Sequence, residues 1–317
     1  MMILKMCKYF LFVLSFYYAS AQVDDIFIDS LIKNEDVRFF QNLEYGDSKR
    51  NKLDLLIPKS KIKTPLVVFL HGGGYKGGNK ESSYKKNNVI RVRRILRNKI
   101  AFATINYSFL NNNDGLLSSL NDAKLALQFL KYNHLNYNID RDKVIIWGVS
   151  SGANSVLWLG LSDDMAEDES ENRVLRESTS VKGIIAINGA HSFNSENWKK
   201  MINMPDKMFD IMIKRFLKYP GMDVEKWLFN YKLEKYQQSI DYFNFMDSSD
   251  PALFIGNYGD MAPKTISSFN HHPMHAKYLK QRADSLSITN YVFAPQLGIK
   301  SEEVNDIVNF ILNQVSD

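Results

Sequence analysis

Two short apolar runs, each opening into a glycine-bearing turn, constrain this chain more than any other feature. Pro65-Leu66-Val67-Val68-Phe69-Leu70 leads into His71-Gly72-Gly73-Gly74-Tyr75, and Val144-Ile145-Ile146-Trp147 leads into Gly148-Val149-Ser150-Ser151-Gly152. Runs this short, apolar and rich in β-branched residues read as strands covered on both faces. Helical patterns alternate with them: residues 83–98, polar and basic; Leu116 to Tyr132, with Leu120, Ala123, Leu127 and Leu130 on one face; and Ala153 to Leu161. Further strands are expected at Val37–Tyr45, Leu53–Ile57, Ile100–Tyr107, Gly183–Asn188, Ala252–Asn257 and Tyr291–Ala294, and helices at Pro273–Ser285 and Glu302–Gln314. Such alternation demands right-handed crossovers and a mainly parallel sheet. The first two strands have no helix between them, which predicts an antiparallel edge.

The 317 residues are 45% hydrophobic, enough to build a sizeable core. No internal repeat or low-complexity linker divides residues 22–317, so one α/β domain is expected. Within it, residues 190–247 are rich in aromatics and Met, the length and composition of a helical cap insertion. Its aromatics (Phe193, Trp198, Phe209, Phe216, Trp227, Phe229) read as core. Residues 1–21 carry Lys5 and Lys8, an apolar run from Tyr9 to Tyr18, and Ala19-Ser20-Ala21 before Gln22, the pattern of a cleaved secretory leader. The apolar run is short of the ~20 residues a membrane span requires. Export to a periplasmic or extracellular location follows, with no stable membrane insertion. The only cysteine, Cys7, lies inside that leader, so neither a disulfide nor a thiol nucleophile is expected beyond it. The formal charge of +5 falls to +3 once Lys5 and Lys8 are removed. So weak an excess gives no case for nucleic acid, and Arg91-Val92-Arg93-Arg94 reads as a solvated helix face.

Gly148-Val149-Ser150-Ser151-Gly152 matches G-x-S-x-G in the setting that a nucleophile elbow requires, between a strand and a helix. Glycines flank the serine because a Cβ there would clash, and the helix N-terminus favours developing negative charge near the hydroxyl. The three glycines after His71 let backbone N–H groups turn toward a reacting carbonyl oxygen. A phosphate cradle of the Walker type would need Gly-Lys-Ser/Thr directly before a helix, which is absent here. The two motifs, 79 residues apart, form a specific pair.

With these motifs the chain resembles the carboxylesterase-type α/β-hydrolases that carry an HGGG loop, including hormone-sensitive-lipase-like and bacterial feruloyl-esterase-like members. The likeness spans roughly residues 40–315. It rests on HGGGYKGGNK (71–80), Asn106-Tyr107, NDAKLALQFL (121–130), YNIDRDKVIIWGVSSGA (137–153) and SSDPALFIG (248–256). The resemblance implies the α/β-hydrolase fold with a mostly parallel eight-stranded core sheet and hydrolysis of carboxylic esters without a cofactor. The substrate would be a small-molecule or saccharide ester, of carboxylesterase or polysaccharide acetyl/feruloyl type. It implies Ser150 as nucleophile and Gly73, Gly74 and Ser151 as oxyanion donors. His71, Gly72 and Tyr75 are expected to line the substrate position.

In such proteins the acid follows the next-to-last strand. Asp260, in Gly256-Asn257-Tyr258-Gly259-Asp260, occupies that place, although Gly256 stands where relatives carry a histidine. Asp247 and Asp250 are alternatives, but they precede the strand and suit a turn before Pro251. The histidine should follow the last strand, where this chain reads Ala294-Pro295-Gln296-Leu297-Gly298-Ile299-Lys300; no histidine occurs beyond His275. Two explanations stay open. His272, or alternatively His271, in His271-His272-Pro273-Met274-His275, could reach Ser150 as base. Or the base is lost, leaving a hydrolase-fold protein that binds esters or sugars with little turnover. A metal site built from these histidines and Asp260 fits poorly, because Pro273 interrupts regular helix and no HExxH accompanies them. His191 carries no assigned role.

Overall fold

The computed structural model describes residues 36–110, 115–207, 238 and 240–316. The expected leader and the central part of the expected cap, residues 208–237, lie outside the described residues.

The continuous apolar runs are strands because both of their faces are covered. In β3 (Thr64–Leu70), Leu66, Val68 and Leu70 join one core. That core includes Leu120, Ala123 and Leu127 of α2 (Leu117–Tyr132), and Val156 and Leu157 of α3 (Ser151–Leu161). The alternate residues, Val67 and Phe69, join a second core with Val92, Ile95 and Leu96 of α1 (Lys86–Arg97). Val308, Phe310 and Ile311 of α7 (Ile307–Val315) complete it. Besides short helical turns such as His134–Tyr137, the other elements are β1 (Val37–Glu44), β2 (Lys52–Pro58), β4 (Ala101–Ile105), β5 (Ile139–Val149), β6 (Gly183–Ile187), α4 (Ser195–Ile202), β7 (Ala252–Gly256), α5 (Ile266–Asn270), α6 (Pro273–Ser285), β8 (Asn290–Ala294) and β9 (Ile299–Lys300).

The strands form one sheet in the order β1-β2-β4-β3-β5-β6-β7-β8-β9. The six strands from β4 to β8 run parallel, β1 and β2 make the antiparallel edge expected from the absence of a helix between them, and β9 pairs antiparallel with β8. This is the α/β-hydrolase arrangement with nine strands rather than eight. The ninth is two residues long. It folds back on β8 through the turn Pro295–Leu297 and the left-handed Gly298 (φ 69°). That hairpin occupies the loop in which the resemblance to HGGG-type hydrolases leads one to expect a histidine. The closing helix begins at Ile307, later than the sequence pattern suggests, because the Asp306 carboxylate caps Val308 and Asn309. Arg94 of the basic stretch reaches the same carboxylate at 3.1 Å. Among the described residues, no helix is long and apolar enough to cross a membrane.

Beneath the glycine-rich loop lies a buried ion pair. Lys80 Nζ stands 2.8 Å from Asp54 Oδ2, with both side chains essentially inaccessible. Asp54 also accepts from the Asn42 N–H and the Tyr84 hydroxyl, and Lys80 reaches Glu81 at 2.6 Å. The backbone of Lys80 is held as well, by Asn106 Oδ1 and by the Thr104 hydroxyl. The pair joins β2 to the far end of the loop, so it fixes where residues 71–78 can go. Removing one partner of a buried pair strands the other charge, at a cost of about 3–5 kcal/mol. Lys80→Met should lower unfolding stability by about that much in urea titration, and Asp54→Leu in the same chain should recover part of the loss. A change below about 1 kcal/mol for Lys80→Met would mean the pair does not hold the loop.

Candidate active site

Ser150 sits at the junction of β5 and α3 with φ 56° and ψ −119°, a conformation that L-residues adopt only under constraint. The constraint is visible. Its N–H donates to Ile187 O (2.8 Å) and its carbonyl accepts from the Asn154 N–H. The flanking glycines are required by contact rather than by habit. A Cβ on Gly148 would lie 2.1 Å from Gly152 O, and one on Gly152 would lie 2.2 Å from Leu70 O. Gly152 therefore lets α3 press directly on the end of β3.

That approach brings the glycine loop to the serine. A Cβ on Gly72 would stand 3.1 Å from Ser150 Cβ, so the backbone of the loop passes directly beside the nucleophile. Gly73 has φ 131°, and a Cβ there would fall 2.0 Å from Gly77 O. Among the described residues, the N–H groups of Gly73 and Ser151 have no partner, as an anion-receiving pair requires. Gly74 differs from expectation. Its N–H donates to the Ser151 hydroxyl at 3.0 Å and so braces the elbow.

His71 and Tyr75, expected against the substrate, are buried instead, with 0% and 6% of their surfaces accessible. The carbonyl of Gly72 accepts from His71 Nδ1–H at 2.7 Å, which fixes that tautomer. The ring stacks on Tyr107 at 4.3 Å, and the Tyr107 hydroxyl donates to His71 O. Tyr75 sends its hydroxyl to Ser151 O at 2.8 Å. Both side chains thus hold the loop against the elbow. Arg50, to which sequence reasoning gave no part, ties the outside of the loop: Nε donates to Tyr107 O (2.9 Å), Nη2 donates to Gly78 O (3.1 Å), and the guanidinium lies over the Phe109 ring. Only its separation from the motif in sequence hid it.

The histidine beside Ser150 is His271. Its Nε2 stands 2.8 Å from Ser150 Oγ. His272 faces away: its Nδ1 accepts from the Met274 N–H and its Nε2–H donates to Met261 O. The reason is local. Pro273 opens α6, so His272 becomes its N-cap and turns inward, while His271, one residue earlier, closes α5 and faces the elbow. Asp260 also departs from expectation. It is exposed and makes no hydrogen bond to an imidazole among the described residues. The glycine before it makes the contact, Gly259 N–H donating to His271 O at 3.2 Å, with no room there for a Cβ. Burial pulls the His271 pKa below its ordinary 6.5, and no carboxylate among the described residues acts on it. No group of three or more His, Cys, Asp or Glu among the described residues is placed to hold a metal ion.

The model of the BD-FAE family matches residues 53–259, about two thirds of the chain, and spans both glycine motifs and the loop up to Gly259. The chain belongs to the BD-FAE family of α/β-hydrolases. Among curated relatives it is similar to gut esterase 1 of Caenorhabditis elegans, at 29% identity over 41% of this chain and 24% of that protein. It is also similar to a secreted lipase of Arthroderma benhamiae, at 32% identity over 39% of this chain and 25% of that one. The chain thus matches about a quarter of the length of these relatives. A solved structure described as a truncated form of a carbohydrate esterase from gut microbiota superposes with a TM-score of 0.64 at 16% identity. It covers 90% of this chain and 99% of its own, a likeness of fold.

Burial disfavours the charged form of several imidazoles in this BD-FAE member. Burial brings His71 and His191 each down to about 4 and takes His275 well below 6.5. The unfolded chain therefore binds more protons than the folded one between about pH 4 and the ordinary histidine value near 6.5. The stability these groups contribute is complete above that value and is lost as pH falls toward 4. Urea unfolding at pH 7.5, 6.0 and 4.5 should show a progressive decline, and His71→Gln should make it shallower. A profile that is flat or rises toward acid would contradict the neutral buried assignment.

Proposed function

We propose that this protein is an exported serine hydrolase of carboxylic esters, working through an acyl-enzyme on Ser150 with His271 as general base. The observation that carries the reading is the 2.8 Å approach of His271 Nε2 to Ser150 Oγ, at a left-handed elbow beside two unpartnered backbone N–H groups. Ser150 Oγ attacks the ester carbonyl as its proton passes to His271 Nε2. The oxyanion is received by the N–H groups of Gly73 and Ser151. Collapse expels the alcohol, which takes the proton back from the imidazolium. Water, deprotonated by the same nitrogen, then cleaves the acyl-enzyme and restores Ser150. The esterase and lipase relatives, two of them named as secreted, support ester hydrolysis and export. The likeness in fold to a carbohydrate esterase makes saccharide esters the first substrates to assay.

The second reading, a binding protein of the same fold, draws on the absence of a carboxylate at His271 among the described residues. Hydrolysis of p-nitrophenyl acetate separates the two. His271→Ala should lower kcat by about 10²–10⁴, the usual worth of a general base, and Ser150→Ala should abolish turnover. His272→Ala should keep kcat within a few-fold while lowering the melting temperature, because it loses a helix cap. The acidic limb of kcat/KM should lie below pH 6.5, since the base stays neutral until its depressed pKa is crossed. Equal weak rates in wild type, His271→Ala and His272→Ala would establish the binding protein instead.

A further inference from the structure

His271 reaches Ser150 and, among the described residues, no carboxylate meets its ring, so its alignment rests on the segment that carries it. The segment that carries it is fixed through its backbone. His271 N–H donates to Ser267 O, and His271 O accepts from Gly259 N–H. Two residues before it, Phe269 O accepts both the His272 N–H (3.2 Å) and the Nε2–H of His275 (2.9 Å). A carbonyl only accepts, so the His275 proton lies on Nε2 and its Nδ1 is an acceptor. That Nδ1 receives the His191 N–H at 3.2 Å and the His191 Nδ1–H at 2.9 Å. The direction of every bond in the chain is thereby set.

The two rings are almost wholly inaccessible, at 0% for His275 and 2% for His191. They are enclosed by the edges and faces of Trp198, Phe243 and Tyr278 at 5.1–5.5 Å. An apolar residue at either place would avoid burying polar nitrogen, so a retained imidazole pair calls for an account through its hydrogen bonds. The other end of the chain is the elbow helix. Asn154, one turn beyond Ser150, accepts the Ala190 N–H on its Oδ1 at 2.8 Å, which fixes the loop that carries His191. A continuous path therefore runs from the Ser150 helix through Asn154, Ala190–His191, His275 and Phe269 to His271, and closes on Ser150 through the 2.8 Å bond.

We propose that His275, buttressed by His191, is a positioning residue that holds the Phe269–His271 turn so that His271 stays aligned on Ser150. The proposal rests on His271 being the base, and the test separates the two. His275→Leu removes all three hydrogen bonds of the ring. His275→Gln keeps an N–H that can reach Phe269 O. Each is made in wild type and in His271→Ala, with kcat and KM for p-nitrophenyl acetate and the rate of fluorophosphonate labelling measured on folded protein. His275→Leu should lower kcat and the labelling rate on the order of 10–100-fold with KM little changed, as a displaced base would. His275→Gln should recover most of that loss, and His275→Leu should have no further effect once His271 is alanine. Wild-type kcat in folded His275→Leu, or an equal loss in the His271→Ala background, would overturn the proposal. If His275→Leu does not fold, His191→Phe, which leaves the His275 to Phe269 bond in place, should give an intermediate kcat at unchanged KM. Wild-type kcat in that variant would overturn it. Wild-type activity in His271→Ala would instead defeat the base assignment.

Discussion

The close approach of α3 to the end of β3 at Gly152 is the constraint on which the rest of the site depends. Backbone meets backbone there, with two carbonyls, those of Leu70 and His71, less than 3 Å from where a Cβ would be. Because the helix comes that close, Ser150 stands against Gly72, and the hydroxyls of Tyr75 and Tyr107 and the N–H of Gly74 all reach Ser151. Elbow and glycine loop are consequently one hydrogen-bonded unit. In the proposed reaction the N–H groups of Gly73 and Ser151 receive the oxyanion from a framework already hydrogen-bonded in place.

The imidazole beside Ser150, the proposed base, enters this unit from a separate segment, the turn between α5 and α6, while the residues after β8 close into the β8–β9 hairpin and include no histidine. A histidine delivered this way has its backbone clamped by Gly259, Ser267 and Phe269, but its ring lacks a carboxylate partner among the described residues. Where a carboxylate fixes the tautomer of such a base, neutralising it costs about 10⁴ in kcat. With His271 as the proposed base, the arrangement forgoes that support among the described residues, and burial holds the imidazole pKa below its ordinary value.

Much of this was legible in the residues, for reasons that can be stated singly. The runs at 66–70 and 144–147 are apolar at every position, so they had to be central strands, and a glycine pair flanking Ser150 between strand and helix permits little besides an elbow. The choice between His271 and His272 was not legible, since it turns on which of two adjacent residues becomes the N-cap of α6. Pro273 marks the helix start, yet that cue decides the matter only once the inward use of a capping imidazole is recognised. β9 is too short to leave a periodic signal. Asp260 was placed by its likeness to relatives, and its neighbour Gly259 took the contact because backbone fits where a side chain cannot. Arg50, the Lys80–Asp54 pair and the His191–His275 pair join residues between 21 and 84 positions apart, and no local pattern announces such contacts.

A crystal structure of the protein after reaction with a fluorophosphonate tests the central claim most directly. The account predicts phosphorus bonded to Ser150 Oγ, the phosphoryl oxygen within hydrogen-bond distance of the Gly73 and Ser151 N–H groups but not of Gly74, and the His271 imidazole still beside the adduct. An adduct on another residue, or an adduct on Ser150 with His272 or Asp260 moved into the place of His271, would contradict it.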